Sequence, residues 1–359
     1  MTRVLLLHGG KIPHYRIPIY SCLSAYLARN GFELVVASGG IQADNPHSIQ
    51  FNYIERPLSI GSIAKLIWTE KIEVIILFVD MRHLYLFPTY LIAKGLLRRK
   101  MVWWGQGRDL ADQDAKIKNL AYTTEHALCD SIILYAEHLK KYVSQRFHGK
   151  LFVANNTLCI DYPGLPAGKK QAVLRKYGIT TSKNIICIGR LQKRKRLDHL
   201  AEAFAYLNRS DLGLIIAGPD TEGVLKDIKG ANVYKLGPVY GNEKFDLLSA
   251  SDVYCLPGAV GLSIVDAFYC GLPIVTEDGD ESAEMMYLKN GVNGFIVPRG
   301  NIPELARKLL LLLDDDSLRM QFAAEARKEI KENGAIEKLC VGFKDALLYA
   351  TGKPSDTNA

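Results

Sequence analysis

A short basic segment in the second half of the chain carries the residues best suited to binding an anion. Five of the seven residues 190–196 are basic, and they follow an apolar segment, residues 184–188, and Gly189. Arginine can hold phosphate oxygens through two parallel hydrogen bonds, and lysine acts as a movable point charge. A basic run is usually only a solvated face. Because this one lies between a predicted strand end and a predicted helix, it favours a phosphate site.

A second segment, residues 252–298, suits a ligand that is both anionic and rich in hydroxyl groups. A predicted strand there runs into a proline–glycine break, after which Gly261 opens a helix. The backbone N–H groups of Val260, Gly261 and Leu262 precede that helix, an arrangement that binds anions. Asp266 lies about one turn into the helix, where a carboxylate can accept hydrogen bonds from hydroxyls.

Candidate residues in the first half lie just past the ends of predicted strands, where ligands bind parallel sheets. Gly9 and Gly10 let a ligand approach the backbone closely, since neither has a Cβ. A plain tight turn is the alternative explanation for the two glycines. Asp80 follows another strand, and a solvated loop with a local salt bridge is the alternative there. The remaining candidates, on loops able to line a cleft, are His14, Arg16 and Gln106.

Several classes of protein are disfavoured by motifs that the sequence lacks. Without G-x-G-x-x-G a dinucleotide oxidoreductase loses its usual fingerprint, and without a spacing such as H-E-x-x-H a metal site is not expected. Carboxylates at glycosidase-like positions cannot be identified, which disfavours hydrolysis. The seven cysteines form no C-x-x-C pair and are expected to be free, buried thiols. We therefore expect neither a metal nor a cofactor.

The composition is that of a globular protein with room for two domains. The chain has 359 residues, of which 48% are hydrophobic and 23% charged, and its formal net charge is +7. A positive charge suits anionic substrates or an anionic membrane surface without choosing between them. No window reads as a membrane span. The apolar run at residues 4–7 is too short for an export signal and is expected to be a first strand.

Short apolar strands alternate with helices, which predicts an α/β fold with parallel sheets. The predicted linker is the proline- and glycine-containing segment 161–170. Residues 90–100, apolar and then basic, fit either a sheet-covering helix or an element that docks on anionic lipid. Strands are expected at residues 4–7, 34–37, 74–78, 101–104, 131–135, 151–154, 184–188, 214–217, 233–236, 253–256, 274–276 and 295–297. Helices are expected at residues 19–29, 139–147, 243–249, 301–313, 321–331 and 336–350, among others.

Two segments of the second half resemble retaining glycosyltransferases of the GT-B fold (group 1, family 4). Residues 189–196 resemble the family segment G-R-L-x-x-x-K-G, with Arg196 in place of the final glycine. Residues 252–297 resemble the block in which relatives carry two glutamates eight positions apart; here those positions hold Gly258 and Asp266. The donor-sugar contact of the first glutamate must then come from another group, such as Glu284, a water or the N–H groups before the helix.

The first half resembles the family less closely. Residues 104–107 read W-G-Q-G where relatives acting on bacterial polysaccharides often have W-G-H-G. Gln106 cannot act as an acid or base. This difference argues against histidine-assisted catalysis at this position.

The resemblance implies two facing Rossmann-like domains with a central cleft. It implies an acceptor domain at residues 1–157 and a nucleotide-sugar donor domain at residues 158–335, with a last helix at about 336–350 packing back on the first domain. Arg190 and Lys195 would contact the donor diphosphate and act in catalysis. Donor-binding roles fall on Gly9, Gly10, Gly189, Gly237, Val239, Val260, Gly261, Leu262 and Asp266, and acceptor-side roles on His14, Arg16, Asp80 and Gln106.

The implied activity is metal-independent transfer of a sugar from a UDP- or GDP-sugar to a hydroxyl of a carbohydrate or lipid-linked acceptor. The anomeric configuration would be retained, and the setting would be polysaccharide or glycoconjugate biosynthesis. Because Gly258 and Gln106 replace family residues, two alternatives stay open: a non-catalytic subunit that binds nucleotide sugars, and a sugar-nucleotide epimerase. We expect a cytoplasmic location and no nucleic-acid partner, and leave open a contact with the inner face of the membrane.

Overall fold

The chain folds into two compact units. The computed structural model describes residues 1–43, 45–78, 87–108, 110, 116–279 and 282–354. Unit 1 comprises Met1–Ile160 and Ala335–Ala359, and unit 2 comprises Asp161–Gly334. These divisions lie within three residues of the boundaries expected from the sequence, at residues 157/158 and 335/336.

Unit 1 is built on a parallel sheet. Neighbouring strands pair in the order β3-β2-β1-β4-β5-β6-β7, and every pair is parallel. The central strands are nearly continuous apolar runs because helices cover both faces of such a sheet; Val4, Leu5 and Leu6 have no exposed surface. The strands are β1 Thr2–His8, β2 Phe32–Ser38, β3 Asn52–Glu55, β4 Val74–Phe78, β5 Lys100–Gly105, β6 Ser131–Leu134 and β7 Leu151–Val153.

The helices of unit 1 include the last helix of the chain. They are α1 Arg16–Arg29, α2 Ile60–Thr69, α3 Phe87–Gly95, α4 Lys116–Leu128 and α11 Ile336–Thr351. Helix α11 packs on α1 and on β5, β6 and β7. Gly342 permits this close approach, because a Cβ there would lie 2.2 Å from the carbonyl oxygen of Val153. The hydroxyl of Ser131 donates to the carbonyl of Ala346 at 2.9 Å and joins the helix to β6.

Unit 2 has a parallel sheet of its own. The strand order is β10-β9-β8-β11-β12-β13, and the pairs are parallel. The strands are β8 Lys183–Ile188, β9 Leu212–Ala217, β10 Val233–Leu236, β11 Val253–Cys255, β12 Ile274–Glu277 and β13 Gly294–Val297. The helices are α5 Lys170–Lys176, α6 Leu197–Leu207, α7 Gly241–Ser249, α8 Ser263–Tyr269, α9 Ile302–Asp314 and α10 Asp316–Asn333.

Side-chain caps determine where two of these helices begin. The side chain of Asn301 accepts a hydrogen bond from the backbone N–H of Glu304 at 3.1 Å, which starts α9. Asp315 accepts in the same way from Leu318 at 2.8 Å. Helix α10 therefore begins at Asp316, five residues before the start expected from the sequence.

Two expectations about secondary structure are wrong or incomplete. The helix expected at residues 139–147 is two 3₁₀ helices, Glu137–Tyr142 and Gln145–Lys150, because Val143 between them is extended, with φ −110° and ψ 133°. Strand β3 and helix α2 were not anticipated; β3 is partly exposed, so its sequence lacks a buried apolar run. Within the residues described, no helix is both long and apolar enough to cross a bilayer.

One pair of cysteines also differs from expectation. Cys22 and Cys159 form a disulfide, which corrects the prediction that all seven thiols are free. They are 137 residues apart and share no motif, so spacing in the sequence could not pair them. The other cysteines are free and buried: Cys129, Cys187, Cys255, Cys270 and Cys340.

Candidate functional site

The strand order of unit 2 reverses between β8 and β11. Open α/β sheets bind ligands at such a point, outside the carboxyl ends of the strands. The loop after β8, residues 189–196, is the basic segment and is called the basic loop. The loop after β11, residues 256–262, leads into α8 and is called the α8 loop. Both segments that the sequence singled out therefore lie at this switch point.

The two loops are docked on each other through backbone hydrogen bonds. The N–H of Gly258 donates to the carbonyl of Lys195 at 2.9 Å, and that of Ala259 donates to the carbonyl of Arg194 at 3.1 Å. The Lys195 ammonium donates to the carbonyls of Ala259 and Val260, the latter at 3.3 Å. The basic loop is thus fixed against the start of α8, and Lys195 is partly buried there.

Gly258 is required by this docking. A Cβ built on it would lie 2.1 Å from the carbonyl oxygen of Arg194 and 2.7 Å from Cα of Lys195, and both are backbone atoms that cannot move aside cheaply. A glutamate at this position is therefore sterically excluded. Glu284, a candidate to replace it, is only 5% exposed and lies in the 3₁₀ helix Ala283–Tyr287.

Arg196 closes the basic loop in a left-handed conformation, with φ 52° and ψ 47°, which explains why glycine suits this position in relatives. Its guanidinium Nη1 donates to Glu277 Oε2 at 2.5 Å, and His199 Nδ1 lies 2.6 Å from Glu277 Oε1. Glu277 ends β12, and its side chain has no exposed surface. The pair of Arg196 and Glu277 therefore joins the basic loop, which follows β8, to β12, which lies two strands from β8 in the sheet.

Gly261 and Ser263 shape the start of α8, and the N-terminus of a helix favours an anion. Gly261 adopts φ +60°, which glycine tolerates without strain. Ser263 donates its hydroxyl to the carbonyl of Val260 at 2.7 Å, and Leu262 follows as the residue before the helix.

Asp266, at the end of the first turn of α8, is 8% exposed. Its Oδ1 accepts a hydrogen bond from the Lys244 ammonium of α7 at 2.8 Å. The sequence predicted the carboxylate but not this partner. Asp266 is therefore an ion-paired group, and its other oxygen is the one left for a ligand hydroxyl.

Two glycines predicted to bind the donor, Gly189 and Gly237, follow β8 and β10, the two strands that flank β9 in the sheet. Gly218 donates its N–H to the carbonyl of Gly237 at 3.1 Å, and a Cβ on Gly218 would lie 1.9 Å from the carbonyl oxygen of Gly189. The loops after β8, β9 and β10 are therefore in contact. Gly189, Arg190 and Gly237 are exposed, and Val239 is half-buried.

The acceptor-side candidates belong to unit 1. Arg16 is 4% exposed, and its guanidinium lies 5.1 Å from the ring centroid of Trp104 and 5.9 Å from that of Tyr135. Its Nη1 donates to Asn156 Oδ1 at 3.4 Å. Arg16 is thus packed among Trp104, Tyr135 and Asn156, near the carboxyl ends of the strands, and does not project into solvent.

The described candidates Gly9, Gly10, His14 and Gln106 lie on loops that follow strands β1 and β5 of the unit 1 sheet. Gly9 and Gly10 follow β1, and the carbonyl of Gly10 accepts a hydrogen bond from Gly39 at 3.2 Å. His14 and Gln106 are half-buried. Asp80 lies outside the described residues.

Chemistry by a metal or a cysteine nucleophile finds no support in the described residues. No group of three metal-binding side chains occurs among them. Burial raises the pKa of the Cys187 thiol, in β8, to about 12. A thiol with that pKa stays protonated at neutral pH and is a poor nucleophile.

Comparison with known proteins relates unit 2 to an established family. Residues 169–329 match the family model described as glycosyl transferases group 1. Over these residues the chain is similar to group 1 glycosyl transferases. The resemblance to that group, predicted from the sequence, is thus confirmed for the stretch that contains the basic loop, the α8 loop and Asp266.

Relatives by sequence cover parts of the chain. An uncharacterized glycosyltransferase of Haemophilus influenzae is 26% identical over 242 residues, which are 64% of this chain and 63% of that protein. A phosphatidyl-myo-inositol mannosyltransferase of Mycobacterium leprae is 30% identical over 159 residues, 42% of each chain. The match therefore spans less than two thirds of either relative's length.

A solved structure shares the fold over nearly the whole chain. HepE of Anabaena, crystallised with UDP-glucose, superposes with a TM-score of 0.76 at 16% identity, covering 97% of this chain and 99% of that one. The GT-B fold class predicted from the sequence, α/β with two Rossmann-like units of parallel sheet, is confirmed.

Proposed function

We propose that this protein transfers a sugar from a nucleoside diphosphate sugar to a hydroxyl group, with retention of the anomeric configuration and without a metal ion. The observation that carries the proposal is the docking of the basic loop on the α8 loop. It brings the Lys195 ammonium, the start of α8 and the buried carboxylate of Asp266 to one switch point. Cations and N–H dipoles suit a diphosphate, and the carboxylate suits ribose hydroxyls.

Stabilisation of the leaving group is the main chemical task of the site. When the sugar–phosphate bond breaks, negative charge grows on the departing diphosphate, and cations already in place lower the energy of that state. Arg190 and Lys195 would supply them. The ammonium of Lys195 is hydrogen-bonded to two carbonyls, so part of its bonding would be exchanged for phosphate oxygens when the donor binds.

Retention would follow if the acceptor hydroxyl attacks from the face that the diphosphate leaves. That path needs no covalent enzyme nucleophile, in keeping with the protonated, buried thiol of Cys187. The diphosphate itself, close to the acceptor on that face, is the group best placed to take the hydroxyl proton.

The relatives suggest the classes of donor and acceptor. The Mycobacterium leprae protein is named for mannosyl transfer to phosphatidyl-myo-inositol, and HepE was crystallised with UDP-glucose. For this chain we propose a UDP- or GDP-sugar donor and a carbohydrate or lipid-linked acceptor, in polysaccharide or glycoconjugate biosynthesis.

A lipid-linked acceptor would be reached at an anionic membrane surface. Three large apolar residues in and after α3 are exposed: Leu91 by 45%, Ile92 by 43% and Leu96 by 77%. Arg98 and Arg99 follow after Leu97, and apolar residues beside basic ones are the combination that binds anionic lipid. Co-sedimentation with phosphatidylglycerol vesicles, reduced by salt and by Leu96→Ser, would support this contact. Equal binding to neutral phosphatidylcholine vesicles would contradict it.

The activity is tested by incubating the protein with UDP- and GDP-sugars and measuring free UDP or GDP. We expect slow release with one donor, accelerated by a suitable acceptor and unchanged after exhaustive EDTA treatment. Tight nucleotide binding without release would indicate a binding subunit, and a changed sugar on intact nucleotide would indicate an epimerase. Loss of activity in EDTA, restored by Mn²⁺ or Mg²⁺, would contradict metal independence.

A further inference from the structure

The ion pair between Lys244 and Asp266 is the feature of the site that the mechanism above leaves unused. The ammonium lies 2.8 Å from Asp266 Oδ1, and the two side chains are 21% and 11% exposed. Lys244 belongs to α7, which follows the loop at residues 237–240, and Asp266 belongs to α8, which follows the α8 loop. The pair therefore joins the helices that begin after two of the ligand-facing loops.

The position of the ammonium is fixed from its own helix as well. Its Nζ lies 4.4 Å from the ring centroid of Phe245, and that ring stacks on Tyr162 at 5.2 Å between centroids. An aromatic face attracts a cation. The pair is thus held in place before any ligand arrives, although both side chains keep some contact with solvent.

A ribose ring presents two adjacent hydroxyls, each able to donate and to accept. A carboxylate can only accept and an ammonium can only donate. With Oδ1 of Asp266 engaged by Lys244, Oδ2 can accept from one hydroxyl, and the ammonium can donate to the oxygen of the other. The pair has the polarity that an adjacent diol requires.

We propose that Lys244 is a ribose-binding residue, and that Lys244 and Asp266 together recognise the two ribose hydroxyls of the donor, one each. This inference rests on the proposed function and extends it to a residue outside the basic loop and the α8 loop. The competing explanation is that Lys244 only neutralises a buried carboxylate, since such a charge is costly when unpaired. The two explanations differ in how the protein responds to ribose lacking one hydroxyl.

The experiment measures affinities for UDP or GDP, whichever binds, and for its 2′-deoxy and 3′-deoxy forms by titration calorimetry. For the wild type we expect each deoxy form to bind about tenfold more weakly, the value of one hydrogen bond to a charged group. In Lys244→Met one of these two penalties should disappear while the other remains. Asp266→Asn should reduce the complementary penalty, and Lys244→Arg should keep both.

Lys176→Met is the matched control. It removes the same charge from a lysine paired with Glu243, the residue before Lys244, but that pair is exposed, at 55% and 58%. Its affinities should equal those of the wild type. If Lys244→Met proves unstable in thermal unfolding, the double variant Lys244→Met with Asp266→Asn removes both charges and should lower both penalties below those of the wild type.

Two results would overturn the inference and leave the proposed function standing. One is that Lys244→Met keeps both wild-type penalties. The other is that it binds the parent nucleotide and both deoxy forms more weakly by the same factor, as a general attraction for phosphate would require. A wild type that binds neither UDP nor GDP would overturn the proposed function together with the inference.

Discussion

Single residues at the switch point decide how closely the basic loop and the α8 loop approach. Gly258→Ala places a Cβ against backbone atoms of Arg194 and Lys195, and overpacking of this kind costs about 1–3 kcal/mol. We expect lower stability of unit 2 in urea unfolding and weaker nucleotide binding. Gly61→Ala is the control, since a Cβ there meets nothing within 4 Å. A Gly258→Ala protein as stable as the wild type would contradict the steric argument.

The pair of Arg196 and Glu277 gives a second prediction. Glu277→Gln leaves a guanidinium that is 15% exposed without its carboxylate, and breaking a buried pair costs about 3–5 kcal/mol. Removing both charges in Arg196→Gly with Glu277→Gln should restore much of that stability, because glycine also suits the left-handed backbone. A double-mutant cycle of unfolding free energies measures the coupling, and additive effects would show that the two side chains act independently.

Helix α4 carries two adjacent buried residues whose charges respond to pH in opposite senses. Burial raises the pKa of Glu125 from 4.5 to about 7, while its bond from the Trp103 indole works the other way. Burial lowers the pKa of His126 from 6.5 to about 4. Glu125 therefore adds stability below pH 4.5 that is lost as the pH rises through 7. His126 adds stability above pH 6.5 that is lost as the pH falls through 4.

The two contributions, each at most about 3 kcal/mol, should largely cancel in the wild type between pH 4.5 and 6.5. Glu125→Gln keeps an acceptor for the Trp103 indole and removes the contribution of Glu125, so that only that of His126 remains. We expect the variant to lose stability steadily on acidification across this window, as measured by urea unfolding at several pH values. A pH profile parallel to that of the wild type would show that Glu125 does not titrate as described.

The sequence predicted secondary structure best where burial produces a plain pattern. Strand β4, in which Val74, Ile75 and Ile76 have no exposed surface, was predicted to the residue, because continuous apolar runs have few alternatives. Strand β3 was missed because it lies at the sheet edge and is partly exposed. The 3₁₀ helices around Val143 were read as one α-helix, since composition does not show where a helix is interrupted.

Only the candidate-site residues that belong to recognisable sequence motifs could be predicted. Arg190 and Lys195 could be singled out from residue type and position after a strand, and Asp266 from its position about one turn into a helix. Lys244 and Glu277 could not, because a lysine in an amphipathic helix and a glutamate ending a strand are usually solvated. Their roles depend on partners 22 and 81 residues away, and only the fold brings such residues into contact.

The chain returns to unit 1 at its last helix, so unit 1 depends on both ends of the sequence. Leu339, Phe343 and Leu347 of α11 have no exposed surface, and Gly342 lies against β7. Gly342→Leu should destabilise unit 1 by about 1–3 kcal/mol through overpacking while leaving unit 2 unchanged. Hydrogen exchange followed separately in β6 and in β9 measures this difference. Equal loss of protection in both strands would show that the units unfold together.

The central claim is that the basic loop stabilises a departing diphosphate. It is tested most directly by the rate of sugar transfer, or of nucleotide release, in Arg190→Ala and Lys195→Ala. Lys193→Ala serves as a control for charge within the same loop, and thermal unfolding confirms that each variant is folded. We expect each of the first two to lose about 2–4 kcal/mol of transition-state stabilisation, roughly 30- to 1000-fold in kcat/KM, with Lys193→Ala near the wild-type rate. Wild-type rates in folded Arg190→Ala and Lys195→Ala would contradict the account.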